Sequence, residues 1–159
     1  MKTVEILRSS TPECPKLGYG DHVMVYDDNK AIYGGHASSC PNPYLYDNGK
    51  LINWRRLYAM LAEQEMIFEC RYHPEFRECL LLNNGGKCET INPNPNHDGQ
   101  RIATGIFVHR GGINSKNPLW RGSRGCCTVP PNEADNFFSI FSIGEKGTLT
   151  IKQLMSEGK

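Results

Sequence analysis

The sequence predicts a mostly β domain of the α+β class, a β-sandwich or mixed sheet carrying one or two helices. Three observations predict it. Short apolar runs rich in Val, Ile, Leu, Phe and Tyr recur along the whole chain. Gly, Pro, Asn and Asp separate them, with 16 Gly and 10 Pro in 159 residues, so turns are frequent and elements are short. Only two segments repeat apolar residues at helical spacing.

In chain order, the expected strands are Thr3–Arg8, His22–Tyr26, Ala31–Tyr33, Met66–Tyr72, Glu78–Leu82, Ala103–His109, Cys127–Val129 and Thr148–Leu154. Asp27-Asp28-Asn29-Lys30 reads as a hairpin turn, because Asp and Asn tolerate left-handed backbone. Asn83-Asn84-Gly85-Gly86 ends another strand. Trp54, Leu57, Tyr58, Leu61 and Ala62 follow the i, i+3, i+4, i+7, i+8 pattern of a helix with one apolar face, and Asn53 is its expected N-cap. A second, shorter helix is expected to start near Pro131 and Asn132, carrying Ala134, Phe137, Phe138 and Phe141 into the core. Asn92-Pro93-Asn94-Pro95-Asn96-His97-Asp98-Gly99 must be a loop, since Pro removes donors and Asn and Gly favour turns. It precedes the strand leading to His109 and is a candidate wall of a site there.

Length and charge narrow the function. A chain of 159 residues is read as one domain, 1–159, large enough to bury a core without staples. The net charge is +1 with no basic run, which argues against nucleic acid as a partner. No stretch approaches the ~20 apolar residues of a membrane span. The opening residues Met1–Arg8 read as a strand and not as a signal peptide, so delivery by a non-classical route is expected if the protein works outside the cytoplasm. The seven cysteines are Cys14, Cys40, Cys70, Cys79, Cys88, Cys126 and Cys127. No Cys-x-x-Cys pair and no zinc-finger spacing occurs, so no metal site is expected. The odd count fits one reactive thiol plus up to three disulfides, with at least one bridge expected among the first five. It fits equally well seven reduced thiols, most of them buried as small hydrophobes.

One segment concentrates chemistry. Ile106-Phe107-Val108 delivers His109 at the end of an apolar strand, followed by Arg110-Gly111-Gly112. After a loop comes Ser123-Arg124-Gly125-Cys126. A strand end is a rigid mount for a catalytic side chain. A thiol attacks as thiolate, and a neighbouring imidazole can take its proton. Gly125 allows successive amide N–H groups to converge as an oxyanion hole, worth roughly 3–4 kcal/mol per good donor. Arg124 would favour the thiolate or grip a substrate carboxylate, and Ser123 would brace the turn. A strand-end His or a Cys after Gly is, taken singly, more often structural. Their order and spacing carry the reading, Ser123 following His109 by 14 positions. His22, His36, His73 and His97 lack such context, although His36 and His97 lie in loop-like sequence and are candidates to line a cleft.

These residues resemble the signature of the L,D-transpeptidase catalytic (YkuD-like) domain, a strand-end His followed by a loop and Ser-(His/Arg)-Gly-Cys. The match covers roughly residues 100–130. The resemblance implies a YkuD-like fold and a cysteine acyl-enzyme mechanism on peptidoglycan stem peptides. It assigns Cys126 as nucleophile and His109 as base. The carbonyl of the residue after the His, here Arg110, orients the imidazole, and Ser123, Arg124 and Gly125 form the oxyanion and substrate turn. No cofactor is called for. The sequence departs from the pattern in three places. Arg110 stands where the family usually has Gly, with Gly111 second. Thr128 stands where the family often has Arg two residues after the Cys, leaving Arg110, Arg121 or Arg124 as candidate substitutes. The doublet Cys126-Cys127 is unusual, and on a strand the second side chain points to the opposite face.

The implied reaction is transpeptidation if an amine resolves the acyl-enzyme, and carboxypeptidase or endopeptidase cleavage if water does. A compact domain without a leader is expected to act in the periplasm or cell wall as a delivered antibacterial effector or lysin, with a cognate immunity protein as a possible partner. The alternative is a non-enzymatic, disulfide-rich β binding module in which Cys126 or Cys127 is bridged. Papain-like and NlpC/P60-like peptidases place Cys before His, the reverse of this chain, and the Gln-Ala-Cys context of caspases is absent.

Overall fold

The computed structural model describes residues 1–9, 19–39, 44–47, 50–53, 59–111 and 126–154, the segments 44–47 and 50–53 as backbone only. The fold is mostly β with one α-helix among these residues, as the sequence predicts. The strands are β1 Lys2–Arg8, β2 Asp21–Asp27, β3 Lys30–Ala37, β4 Tyr44–Asp47, β5 Lys50–Asn53, β6 Gln64–His73, β7 Arg77–Leu82, β8 Cys88–Glu89, β9 Ile102–Ala103, β10 Phe107–Arg110, β11 Cys127–Val129 and β12 Lys146–Gln153, with α1 at Pro131–Phe138 between the last two.

Eight strands form one mixed sheet in the order β11-β10-β7-β6-β12-β1-β2-β3. The pairs β1–β12 and β10–β11 are parallel. The remaining pairs are antiparallel. The sheet curls until its edges meet. Ser38, just past β3, exchanges two backbone hydrogen bonds with Thr128 of β11, at 2.8 and 2.9 Å. Closure removes two strand edges that would otherwise template pairing with other chains.

Alternation decides what fills the interior. On β1, Val4, Ile6 and Arg8 are buried in turn, and on β2, Val23 and Val25. Met66, Phe68 and Cys70 of β6, Leu80 and Leu82 of β7, and Leu149 and Ile151 of β12 join them. The helix α1 and the residues after it plug one end. Phe137 packs edge-on to Tyr33 of β3, and Phe141 to Phe68 of β6. At the other end Arg8 is wholly buried. Its Nε donates to Ser39 Oγ at 2.7 Å and its Nη2 to the Leu61 carbonyl at 2.5 Å. Asp21 accepts from the Ser39 amide and hydroxyl at 2.8 and 2.7 Å. This network fixes Ser39, and therefore the neighbouring Ser38 that closes the barrel.

The β2–β3 hairpin turns at Asp28 and Asn29, with φ of 47° and 72°, a two-residue turn as expected. Three expectations need correction. The expected strand Ala103–His109 is split at Thr104-Gly105, where Gly105 has φ 65° and donates its N–H to the Gly85 carbonyl. Asn53, the expected N-cap, is the last residue of β5. Residues 54–58 of the expected first helix lie outside the described residues, and its remainder is extended. Leu61 bridges Thr90 antiparallel, Met60 accepts from the Ile91 amide at 2.8 Å, and the Ala62 amide donates to Glu89 at 3.0 Å. Ala59, Met60 and Leu61 are buried consecutively. Burial on every side leaves helical spacing uninformative there. The loop at residues 92–99 is a loop, with one 3-10 turn at Pro95–His97 whose Asn94 side chain caps the Asn96 amide at 3.0 Å.

Candidate active site

Strands β10 and β11 run parallel and bring the two halves of the motif together. Their register pairs Val108 with Cys127, His109 with Thr128 and Arg110 with Val129. Alternation then sorts the side chains. Val108, Cys127 and Val129 enter the core. Phe107, His109 and Thr128 share the opposite face. Cys126 immediately precedes β11, and the Phe107 amide points its N–H at its Sγ, 3.5 Å away. The sulfur thus lies beside the β10 backbone, two residues before His109.

His109 is held in one orientation. Its Nδ1 lies 2.7 Å from the Arg110 carbonyl. A carbonyl only accepts, so Nδ1 carries the proton and Nε2 is left with its lone pair as the basic nitrogen. The ring stacks flat on Phe76, with centroids 4.0 Å apart and planes at 10°. His73 stacks on Phe76 in turn, at 4.6 Å. The β6–β7 turn that carries Phe76 is pinned by His73 Nδ1, which accepts from the Glu75 amide at 3.0 Å. Arg77 closes that turn with φ 64°.

Burial sets the protonation states. It pushes the His109 imidazole below its ordinary 6.5, with the Arg110 hydrogen bond and Glu75 opposing. It pushes the Cys126 thiol above its ordinary 9.0, opposed by the Phe107 amide. Both effects disfavour charge, so the resting pair these residues favour is a thiol beside a neutral imidazole, in place of the thiolate expected from the motif.

Arg110 uses its backbone for His109 and its side chain elsewhere. Its guanidinium points to the α1 side, where Nη1 donates to Asp135 at 2.6 Å and Nη2 to Glu78 at 3.2 Å, above the Phe138 ring. It is thus not the cation that replaces the family's Arg at Thr128. Gly111, which continues β10 by donating to the Val129 carbonyl, has no room for a side chain, because a Cβ would collide with the Tyr19 hydroxyl. Ser123, Arg124 and Gly125, the expected oxyanion turn, lie outside the described residues, as does Arg121.

The structure adds residues that the motif did not name. Phe76 covers the imidazole and packs in turn on His73 and Phe107, Tyr19 abuts Gly111, and Ser38 holds the Thr128 backbone. Only a turn of residues 73–77 with an aromatic in it hinted at the first of these. His36 pairs instead with Glu133 at 2.9 Å, and His97 meets Thr104 at 3.3 Å. Among the described residues no group of His, Cys, Asp and Glu is arranged to hold a metal. Cys70, Cys79, Cys88, Cys126 and Cys127 form no disulfide. Cys126 is the partly exposed one of the five, the others being at most 1% exposed. Burial pushes Cys70, Cys79 and Cys88 up to about 11. The bridge expected among the first five cysteines is absent from Cys70, Cys79 and Cys88; Cys14 and Cys40 lie outside the described residues.

No family model matches the chain, and no curated protein matches it. Among solved structures it is similar to Bd1075 of Bdellovibrio bacteriovorus, with a TM-score of 0.46 and 18% identity, over 94% of this chain and 47% of that one. It is also similar to the helical cell shape determining protein Pgp2 of Campylobacter jejuni, with a TM-score of 0.41 and 14% identity, over 98% of this chain and 49% of that one. The chain spans about half the length of these structures. The residues, and not these likenesses, carry the functional reading. No helix among the described residues is long and apolar enough to cross a membrane.

Proposed function

We propose that the chain is a cysteine-dependent acyl-transfer enzyme acting on peptidoglycan stem peptides, as an L,D-transpeptidase or as an L,D-carboxypeptidase or endopeptidase. One observation carries the reading. The 2.7 Å hydrogen bond from His109 Nδ1 to the Arg110 carbonyl fixes the tautomer that leaves Nε2 basic, on the strand paired with β11, which Cys126 immediately precedes. The substrate class comes from the motif resemblance.

On this reading, His109 Nε2 takes the Cys126 proton as sulfur attacks the amide carbonyl carbon. The imidazolium then gives that proton to the departing amine, and an acyl-enzyme remains. An incoming amine or water, deprotonated by the same nitrogen, resolves it. Keeping thiol and imidazole neutral at rest postpones charge separation until the substrate is bound. The absence of a disulfide at Cys126 and at Cys127 favours the enzyme over a module bridged at either residue. With Thr128 in place of a cation and Arg110 engaged on the other face, acceptor stems lose a carboxylate partner, which favours hydrolysis or exchange with small amino acids over cross-linking. The proposed setting is the periplasm or cell wall, where peptidoglycan stem peptides are found.

The test is digestion of purified sacculi followed by mass analysis of the muropeptides. Conversion of tetrapeptide stems to tripeptides, or D-amino-acid exchange when a D-amino acid is added, supports the proposal. Stems unchanged beside a reactive Cys126 would move the substrate away from peptidoglycan.

A further inference from the structure

We propose that the Thr128 hydroxyl belongs to the catalytic machinery, donating a hydrogen bond to the sulfur anion formed when Cys126 loses its proton. The inference rests on the reading of Cys126 as nucleophile and His109 as base, and it is independent of which acyl donor the enzyme uses.

Three observations meet at this side chain. Thr128 stands opposite His109 in the parallel register, on the same face, and two residues beyond Cys126 in the chain. Its backbone is satisfied, the N–H and the carbonyl both being bonded to Ser38. Its side chain is wholly buried, and Oγ1 has no hydrogen-bond partner. A buried hydroxyl without a partner costs stability, and valine would fill the same space with no such cost. Threonine here is therefore a strained choice unless an acceptor appears during the reaction. The Cys126 thiolate is such an acceptor. A thiol sulfur accepts weakly, whereas a thiolate accepts strongly. The two Cα atoms are on the order of 6.6 Å apart along the strand. The two groups do not bond at rest, and rotating the C–O and C–S bonds toward each other over that separation closes the gap when the anion forms. The Phe107 amide already faces the sulfur from β10 at 3.5 Å, so Thr128 supplies a second donor from β11. In the step itself the S–H bond breaks, its electron pair stays on sulfur and its proton passes to His109 Nε2. Thr128 keeps its own proton throughout.

The test follows iodoacetamide alkylation of Cys126 against pH by peptide mass mapping, with thermal melting, in the full chain and its Thr128→Val, Thr128→Ser and Cys126→Ala variants. The expected result is that Thr128→Val melts a few degrees higher. Near neutral pH its Cys126 should react about tenfold more slowly, the scale of one hydrogen bond to a charged group. Its rate profile should move to higher pH, and Thr128→Ser should restore the rate. A Thr128→Val protein that alkylates like the unmodified chain would overturn the proposal. So would one that melts lower, because the hydroxyl would then be bonded in the resting fold. If Cys126 of the unmodified chain reacts no faster than the buried thiols, the nucleophile itself is misassigned, and this proposal falls with it.

Discussion

Ser38 and Thr128 exchange both of their backbone hydrogen bonds, at 2.8 and 2.9 Å, across the seam where the barrel closes. The strand that presents Cys126 is an edge strand until that pair forms. The position of Ser38 depends in turn on Ser39, which is held between the buried Asp21 carboxylate and the buried Arg8 guanidinium. A charge network at the barrel end thus sets the location of β11.

Asp21→Ala should therefore damage both stability and activity. It strips two hydrogen bonds from Ser39 and leaves Arg8 charged and buried without its compensating carboxylate. The expected cost is about 3 kcal/mol, in the range for breaking a buried charged network. Urea unfolding measures the stability, and Cys126 alkylation reports the seam. A loss under about 0.5 kcal/mol would show that the network does not hold the closure.

Cys126→Ala should abolish activity and leave melting nearly unchanged, because the side chain sits at the end of a strand facing the site. Cys127→Ala should do the reverse. Its sulfur is wholly buried in the core, and truncation should cost about 1–2 kcal/mol with most activity kept. Melting curves and turnover on both variants check this. The opposite pattern would mean that the strand register is wrong by one residue.

His109→Ala should slow alkylation of Cys126 near neutral pH and leave it unchanged well above pH 9. The thiol lies above its ordinary 9.0, so near neutrality it needs a base to give up its proton, and at high pH it ionises without one. Rate–pH profiles of the two proteins should converge at the alkaline end. Parallel profiles at every pH would remove His109 from the mechanism.

Phe76→Ala should return the imidazole toward its ordinary 6.5 by exposing it to water. Burial lowers the folded-state value, so below pH 6.5 the unfolded chain binds more protons than the folded one. Stability should therefore be full above about pH 6.5 and decline as the pH falls below it. An NMR titration of the His109 ring and melting temperatures across that window measure both effects. A ring titrating identically in Phe76→Ala would show that the stack does not control its solvation.

Short apolar runs between turn signals made much of this fold legible. Thr3–Arg8 and His22–Tyr26 read as strands, and Asp27 to Lys30 as a hairpin turn, because both signals are local. The motif from His109 to Cys126 was read from spacing and residue type. What the sequence withheld was non-local. Nothing in Ser38 or Thr128 marks them as partners across 90 residues of chain. Phe76 covers His109 only because β6, β7 and β10 are neighbours in the sheet. The segment around Leu61 misled, since a stretch buried on all sides shows apolar residues at helical spacing whether or not it is helical.

The most direct test of the account is the intact mass of the protein quenched in acid during turnover of a tetrapeptide stem. The account predicts a transient adduct equal to the tripeptide acyl group, mapped to Cys126. The adduct should be absent from Cys126→Ala and form more slowly in His109→Ala. Turnover with no adduct at any time, or an adduct that persists in Cys126→Ala, would contradict it.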